Sequence, residues 1–150
     1  MTACRATTRE PPEMVQRVFP MIAYEDAGAA ADWLCEAFGF TERGERYVME
    51  DGTIGHAELE LGGEVVMLAT PNREYRSPRS HRETCEEAAR WLDNPWVIDG
   101  VLVLVDDLDA HHAHAMSAGA NVIRPPEEGP DGRLYTAEDL EGHRWMFQQR

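Results

Sequence analysis

The chain carries a copy of its own first half. Gly39 and Gly119 stand 80 residues apart, as do the Asp51-Gly52 and Asp131-Gly132 pairs and Gly62 and Gly142. Asp26 and Asp107 are offset by 81, Met67 and Met146 by 79. These are punctuation residues that cap helices and close turns, so the same elements recur in the same order. In the first copy, Val18–Glu25 reads as a strand. Asp26 then caps a helix with the apolar stripe Leu34, Ala37 and Phe38, and Gly39 stops it. Strands follow over Arg43–Glu50, Ile54–Leu61 and Val65–Ala69, separated by Gly-containing turns. In the second copy, "VLVLVDD" is a strand and "DLDAHHAHAMSAG" a helix ending at Gly119. "NVIRPP", "RLYTAED" and "RWMFQQ" are three further strands. Each copy is therefore β-α-β-β-β, and the fold class is α+β.

This organisation gives one domain over residues 15–150, with a first module at about 18–71, a linker at 72–98 and a second module at about 99–149. Residues 1–14 read as a disordered tail. Within the linker, Ser80 and Glu83 have capping-box spacing, which predicts a helix from about His81 to Leu92, stopped by Pro95. Arg73, Arg76, Arg79 and Arg82 form a basic stripe. It either balances neighbouring Glu in solvent or docks on an acidic surface.

That stripe is conspicuous because the chain is acidic: 14 basic residues, every one Arg, oppose 28 acidic ones, for a net charge of −14. Such a field repels phosphate backbones and anionic lipid, so neither nucleic acid nor a membrane surface is an expected partner. No apolar run approaches the length of a membrane span, and the N-terminus has no apolar signal core. The cysteines, Cys4, Cys35 and Cys85, are odd in number and widely spaced, which fits a reducing cytoplasm. The sequence has no glycine-rich phosphate loop, nucleophile elbow or CxxC pair.

The segments "YEDAGAAADWLCEAFGF", "DGTIGHAELELGGEVVMLATP", "VDDLDAHHAHAMSAGA" and "DLEGHRWMFQ" resemble the vicinal oxygen chelate superfamily, which includes glyoxalase I, extradiol dioxygenases and the bleomycin and fosfomycin resistance proteins. The resemblance implies two tandem βαβββ modules whose sheets form a concave cleft. It also implies a divalent metal held in many members by His, Gln or Glu from the first and last strand of each module. The corresponding positions here are Phe19 and Met67 in the first module and Gly100 and Met146 in the second. Phe and Gly offer no donor, and a thioether is a poor ligand for a hard or borderline divalent ion. The expectation is thus no metal and no cofactor, with a divalent metal as the alternative.

Strand alternation places His56 and Glu58 on the cleft face, two residues apart, where an imidazole and a carboxylate could share a proton. Phe19, Met21, Met67 and Met146 give the cleft an adaptable apolar floor, and Tyr135 and Arg144 are further lining candidates. Two classes of function follow. One is a small-molecule binding protein of the bleomycin-resistance kind, expected as a homodimer. The other is a lyase, isomerase or dioxygenase of the same superfamily, using His56 and Glu58 or a metal. A regulatory subunit is a weaker third.

The cluster "HHAH" at 111–114 looks like a metal motif. On a helix its three rings diverge, with His112 on the inward stripe beside Leu108 and Ala115, His111 at the edge and His114 outward. It reads as part of the second module's helix rather than a metal site.

Overall fold

In the computed structural model, which describes residues 15–96 and 99–150, the two copies form two four-stranded sheets. The predicted disordered tail over residues 1–14 lies outside the described residues. The first sheet contains β1 (Met21–Ala23), β2 (Thr41–Val48), β3 (Ile54–Leu61) and β4 (Glu64–Ala69), in the spatial order β1-β4-β3-β2. The second contains β5 (Val101–Val105), β6 (Asn121–Gly129), β7 (Gly132–Glu138) and β8 (Arg144–Gln149), in the order β5-β8-β7-β6. The first strand of each module runs parallel to its last, and the other pairings are antiparallel. Matching order and matching sense confirm the repeat.

Helix α1 (Ala27–Phe38) is capped by the Asp26 carboxylate, which accepts from Ala29 N, and ends at Gly39 with φ +79°. Helix α4 (Leu108–Ser117) has the equivalent cap, with Asp107 accepting from Ala110 N, and Gly119 lies just beyond its end with φ +91°. The left-handed conformation at both stops favours Gly, which lacks the Cβ that opposes it.

The two helices pack against each other, and the helix-facing sides of both sheets share one core. Phe38 is its hinge point, with ring centroids 4.7 Å from Phe147 and 5.7 Å from Trp145 of the other module. Leu34, Leu59, Leu68, Leu108 and Tyr135 are fully buried around it.

The predicted linker helix His81–Leu92 is instead two short helices, α2 (Pro78–Thr84) and α3 (Glu86–Leu92), with Cys85 extended between them at φ −137°. The cap is Ser77, followed by Pro at the first helical position, where its missing N–H costs nothing. Ser77 is buried, and its N and Oγ donate to Glu25 Oε1 at 2.8 and 2.9 Å.

A second interface joins the modules. Between β7 and β8, Asp139 receives four hydrogen bonds: Tyr24 OH and Trp145 Nε1 at Oδ2, and Glu141 N and His143 N at Oδ1. Glu141 in turn accepts from Glu25 N and Asp26 N at 2.6 and 3.0 Å, ahead of α1. Burial raises the Glu141 pKa above the usual carboxylate value, although these two amides pull the other way. His143 Nε2 donates to the Ala23 carbonyl at 2.8 Å. The second module thus grips the start of the first module's helix.

Candidate functional site

Each sheet has a face turned away from its helix. On the first, Ala57 and Leu59 point into the core, so His56, Glu58 and Glu60 point out. Val66 and Leu68 point in, so Met67 joins the open face. The register sets Met67 between Glu58 on β3 and Met21 on β1, which is 78% exposed. His56 Nε2 donates to Glu58 Oε1 at 3.2 Å, and Arg43 from β2 lies 3.8 Å from Glu58 Oε2. An imidazole linked to a carboxylate is a proton-handling pair, held here at the edge of an apolar surface of Phe19, Met21 and Met67. His56, Glu58, Met67 and Met21 therefore share the open face of the first sheet.

The second-module candidates divide. Trp145 and Phe147 are fully buried, so Arg144 and Met146 lie on the open face. Thr136 is paired with Met146 and shares that face, which forces its neighbour Tyr135 to the other side. Tyr135 is accordingly not a cleft residue. It is fully buried, stacks on Phe147 at 5.0 Å, and donates its hydroxyl to His111 Nδ1 at 2.8 Å. Burial pushes its pKa well above that of free tyrosine.

Arg144 is also reassigned. It is only 5% exposed, and its guanidinium is occupied by the linker. Nη1 donates to the carbonyls of Asn94 and Trp96, and Nη2 to that of Leu92 at 2.5 Å. Burial lowers its pKa, while Glu138 beside it acts in the opposite direction. Arg144 therefore fastens the linker across the open face of the second sheet. Trp96, placed over the Arg124 guanidinium at 4.4 Å, and the pairing of Leu102 with Met146 are parts of this face that the sequence reading passed over. The signal was available: Leu102, Thr136 and Met146 share one face once the β7–β8 hairpin is registered.

The Arg stripe does not act as one surface. Arg73 pairs with Asp51 at 3.5 Å and Arg76 donates to the Arg73 and Tyr75 carbonyls. Arg79 donates to Leu140 O, and Arg82 to Leu92 O with Glu138 3.6 Å away. Its second half docks on this chain's own second module.

The strands carrying the two open faces, β3 and β4 on one side and β8 on the other, make no substantial contact. A cavity of about 440 Å³ lies between Pro20–Ala23, the linker residues Tyr75, Pro78 and Leu92, and the start of β5 and β8. It includes Met21 and Gly100 but not His56, Glu58, Met67 or Met146.

The metal positions fail a test of chemistry. The register sets Met21 opposite Met67 and Leu102 opposite Met146, so moving from Phe19 or Gly100 along the same face gains no nitrogen or oxygen donor. Among the described residues, no group of three or more His, Cys, Asp or Glu is placed to hold an ion. The residues do not fit the superfamily's metal.

The 111–114 histidines diverge as the helical wheel implies, with His111 and His112 half-buried and His114 exposed. The His111 ring lies tilted 4.3 Å from Phe147, and its Nε2 donates to the Phe38 carbonyl at 3.1 Å. His114 turns to α1 and donates to the Glu36 carbonyl at 2.7 Å. His112 packs edge-on against Tyr135. Two of the three thus satisfy last-turn carbonyls of α1, groups a helix cannot satisfy internally.

The sequence pattern of the Glyoxalase/Bleomycin resistance protein/Dioxygenase superfamily matches residues 16–147, and the chain belongs to that family. Among solved structures, it is similar to TioX from Micromonospora sp. ML1, at 32% identity and a TM-score of 0.64, over 90% of this chain and 96% of that one. TnmS3, an antibiotic binding protein from Streptomyces sp. CB03234, is 18% identical with a TM-score of 0.57, over 91% and 98% of the two chains. A superfamily member from Sphaerobacter thermophilus DSM 20745 is 16% identical with a TM-score of 0.59, over 92% and 100%. No match is found among curated proteins. No helix among the described residues is long and apolar enough to cross a membrane.

Proposed function

We propose that this chain binds a small organic molecule of the antibiotic class on its open sheet faces, without the superfamily's divalent ion. The observation that carries this is the replacement of the donor set by Phe19, Met67, Gly100 and Met146. Those residues remove Lewis-acid chemistry and leave an apolar, polarizable surface suited to a bulky ligand. The antibiotic binding stated for TnmS3, whose fold this chain shares, supports the same reading. A homodimer belongs with it, because a lone chain leaves the face bearing Met21 and Met67 open. Cytoplasmic residence is likewise part of the proposal. The test is calorimetric titration with an antibiotic panel, with and without EDTA. Binding that EDTA leaves unchanged is expected; binding that EDTA abolishes overturns the metal-free reading. Light scattering is expected to give two chains per particle.

The His56–Glu58 hydrogen bond favours one second reading, a lyase or isomerase in which Glu58 orients His56 as a base. EDTA-resistant turnover of a hemithioacetal, lost in His56→Gln, would establish it.

A further inference from the structure

We propose that Leu92–Trp96 is a displaceable plug over the second module's half of the site, and that its contacts define what displaces it: a planar aromatic ring bearing oxygen acceptors. This rests on the small-molecule reading above and adds to it a competitor within the same chain.

The two open faces differ in part. On the first sheet, Met21 is 78% exposed. On the second, Leu102 is also exposed, but Pro95, Trp96 and Asp99 close over Arg124, Thr136, Arg144 and Met146 and leave a residual space of about 10 Å³. The cover makes two kinds of contact. An aromatic ring lies over a guanidinium, Trp96 on Arg124 at 4.4 Å. Three carbonyl oxygens, those of Leu92, Asn94 and Trp96, accept from Arg144. A ring with oxygen substituents reproduces both, stacking on Arg124 and filling the Arg144 donors.

The cover is held by polar contacts rather than by apolar burial, and an incoming ligand can replace those contacts one for one. Trp96 remains 62% exposed, so lifting it forfeits little apolar burial. The regular structure of α3 stops at Leu92, and Asn94 and Pro95 lie outside any helix or strand. Beneath it, Arg144 Nε, Glu138 Oε1 and Arg82 Nε are buried without hydrogen-bond partners among the described residues. The Glu138 carboxylate lies 3.8 Å from Arg144 Nε and 3.6 Å from Arg82 Nη2, too far for direct hydrogen bonds. A buried polar network left incomplete is less stable than one fully paired, which suits a segment that must leave.

The plug is tested with 2-naphthoate, a planar ring with one carboxylate, on the full chain. A ligand that competes with a closed segment binds more weakly by the fraction of time the segment is open. Trp96→Ala is therefore expected to bind 2-naphthoate about tenfold more tightly than wild type, and Trp96→Phe, which keeps a ring, to stay near wild type. Arg124→Ala is expected to lose binding in either background. Hydrogen exchange over residues 92–96 is expected to speed up when 2-naphthoate binds wild type. Equal or weaker binding by Trp96→Ala, or slower exchange over 92–96 on binding, makes Trp96 a wall of the pocket and overturns the plug. If an antibiotic binds while Trp96→Ala gains nothing, the plug falls and the small-molecule reading stands. If the panel gives nothing while Trp96→Ala gains 2-naphthoate, the plug stands and the antibiotic class falls. Trp96 is exposed, so both Trp96 variants are expected to melt near wild type, and a thermal scan checks this and confirms that Arg124→Ala is folded at the assay temperature.

Discussion

His111 shows how a residue that looks like a ligand can be a strut. Its Nε2 hydrogen is taken by Phe38 O, so Nδ1 accepts from Tyr135 OH, and the neutral ring is fully satisfied. Burial lowers its pKa below the usual value of 6.5, with the Phe38 carbonyl opposing. The folded state therefore binds fewer protons than the unfolded one at mildly acidic pH. The stability from this group is complete above pH 6.5 and is lost as pH falls below it toward the depressed folded value. In His111→Phe, Tyr135 loses its acceptor, which is expected to cost about 1–3 kcal/mol at pH 8. The difference from wild type should shrink as urea midpoints are followed from pH 7 to pH 5. Asp139 is the opposite case, a carboxylate with four donors and 5% exposure. Asp139→Ala leaves Tyr24 OH and Trp145 Nε1 buried and unpaired, and a loss of at least about 3 kcal/mol in urea unfolding is expected.

At the scale of elements, the legible parts of the sequence were those whose signal is local. Asp26, Gly39, Asp107 and Gly119 mark helix ends because caps and left-handed stops depend on one residue's chemistry. What was not legible depended on neighbours. The strand read over Val18–Glu25 shortens to Met21–Ala23 because β1 is an edge strand with Pro20 before it. Strand β6 runs past its two prolines to Gly129 because it too is an edge, and a register shift between Arg124 and Glu127 lets Pro125 and Pro126 miss the ladder. The linker helix starts three residues earlier than read because Ser77, anchored by Glu25, caps it, and it breaks at Cys85, whose backbone is extended. Open-face membership followed alternation for His56, Glu58, Met67 and Met146 but failed for Tyr135, where only the pairing with Phe147 decides the side. The repeat itself offers a test. Gly62 and Gly142 are equivalents with φ +60° and +88°, so each favours Gly. A Cβ on Gly62 meets nothing, whereas one on Gly142 would lie 2.9 Å from Arg79 N. Gly62→Ala is expected to cost about 1–2 kcal/mol from conformation alone, and Gly142→Ala distinctly more.

At the scale of the molecule, two βαβββ units have been joined so that the helix sides meet and the opposite sheet faces carry no helix of their own module. Lacking donors at its four metal positions, the untagged protein is expected to melt at the same temperature in EDTA as in added nickel or zinc. A rise of several degrees with either ion would place a site that Phe19, Met67, Gly100 and Met146 do not account for. The grip of the second module on the first has a consequence for the intact backbone. Tyr24, Glu25 and Asp26 find their partners in Asp139 and Glu141, more than a hundred residues onward, while Phe38 is buried against Trp145 and Phe147. A single protease cut after Arg90, which is exposed, is therefore expected to sever the chain without releasing its halves. They should co-migrate as one particle on gel filtration and separate only in denaturant, the covalent join between the copies having become dispensable once they have met.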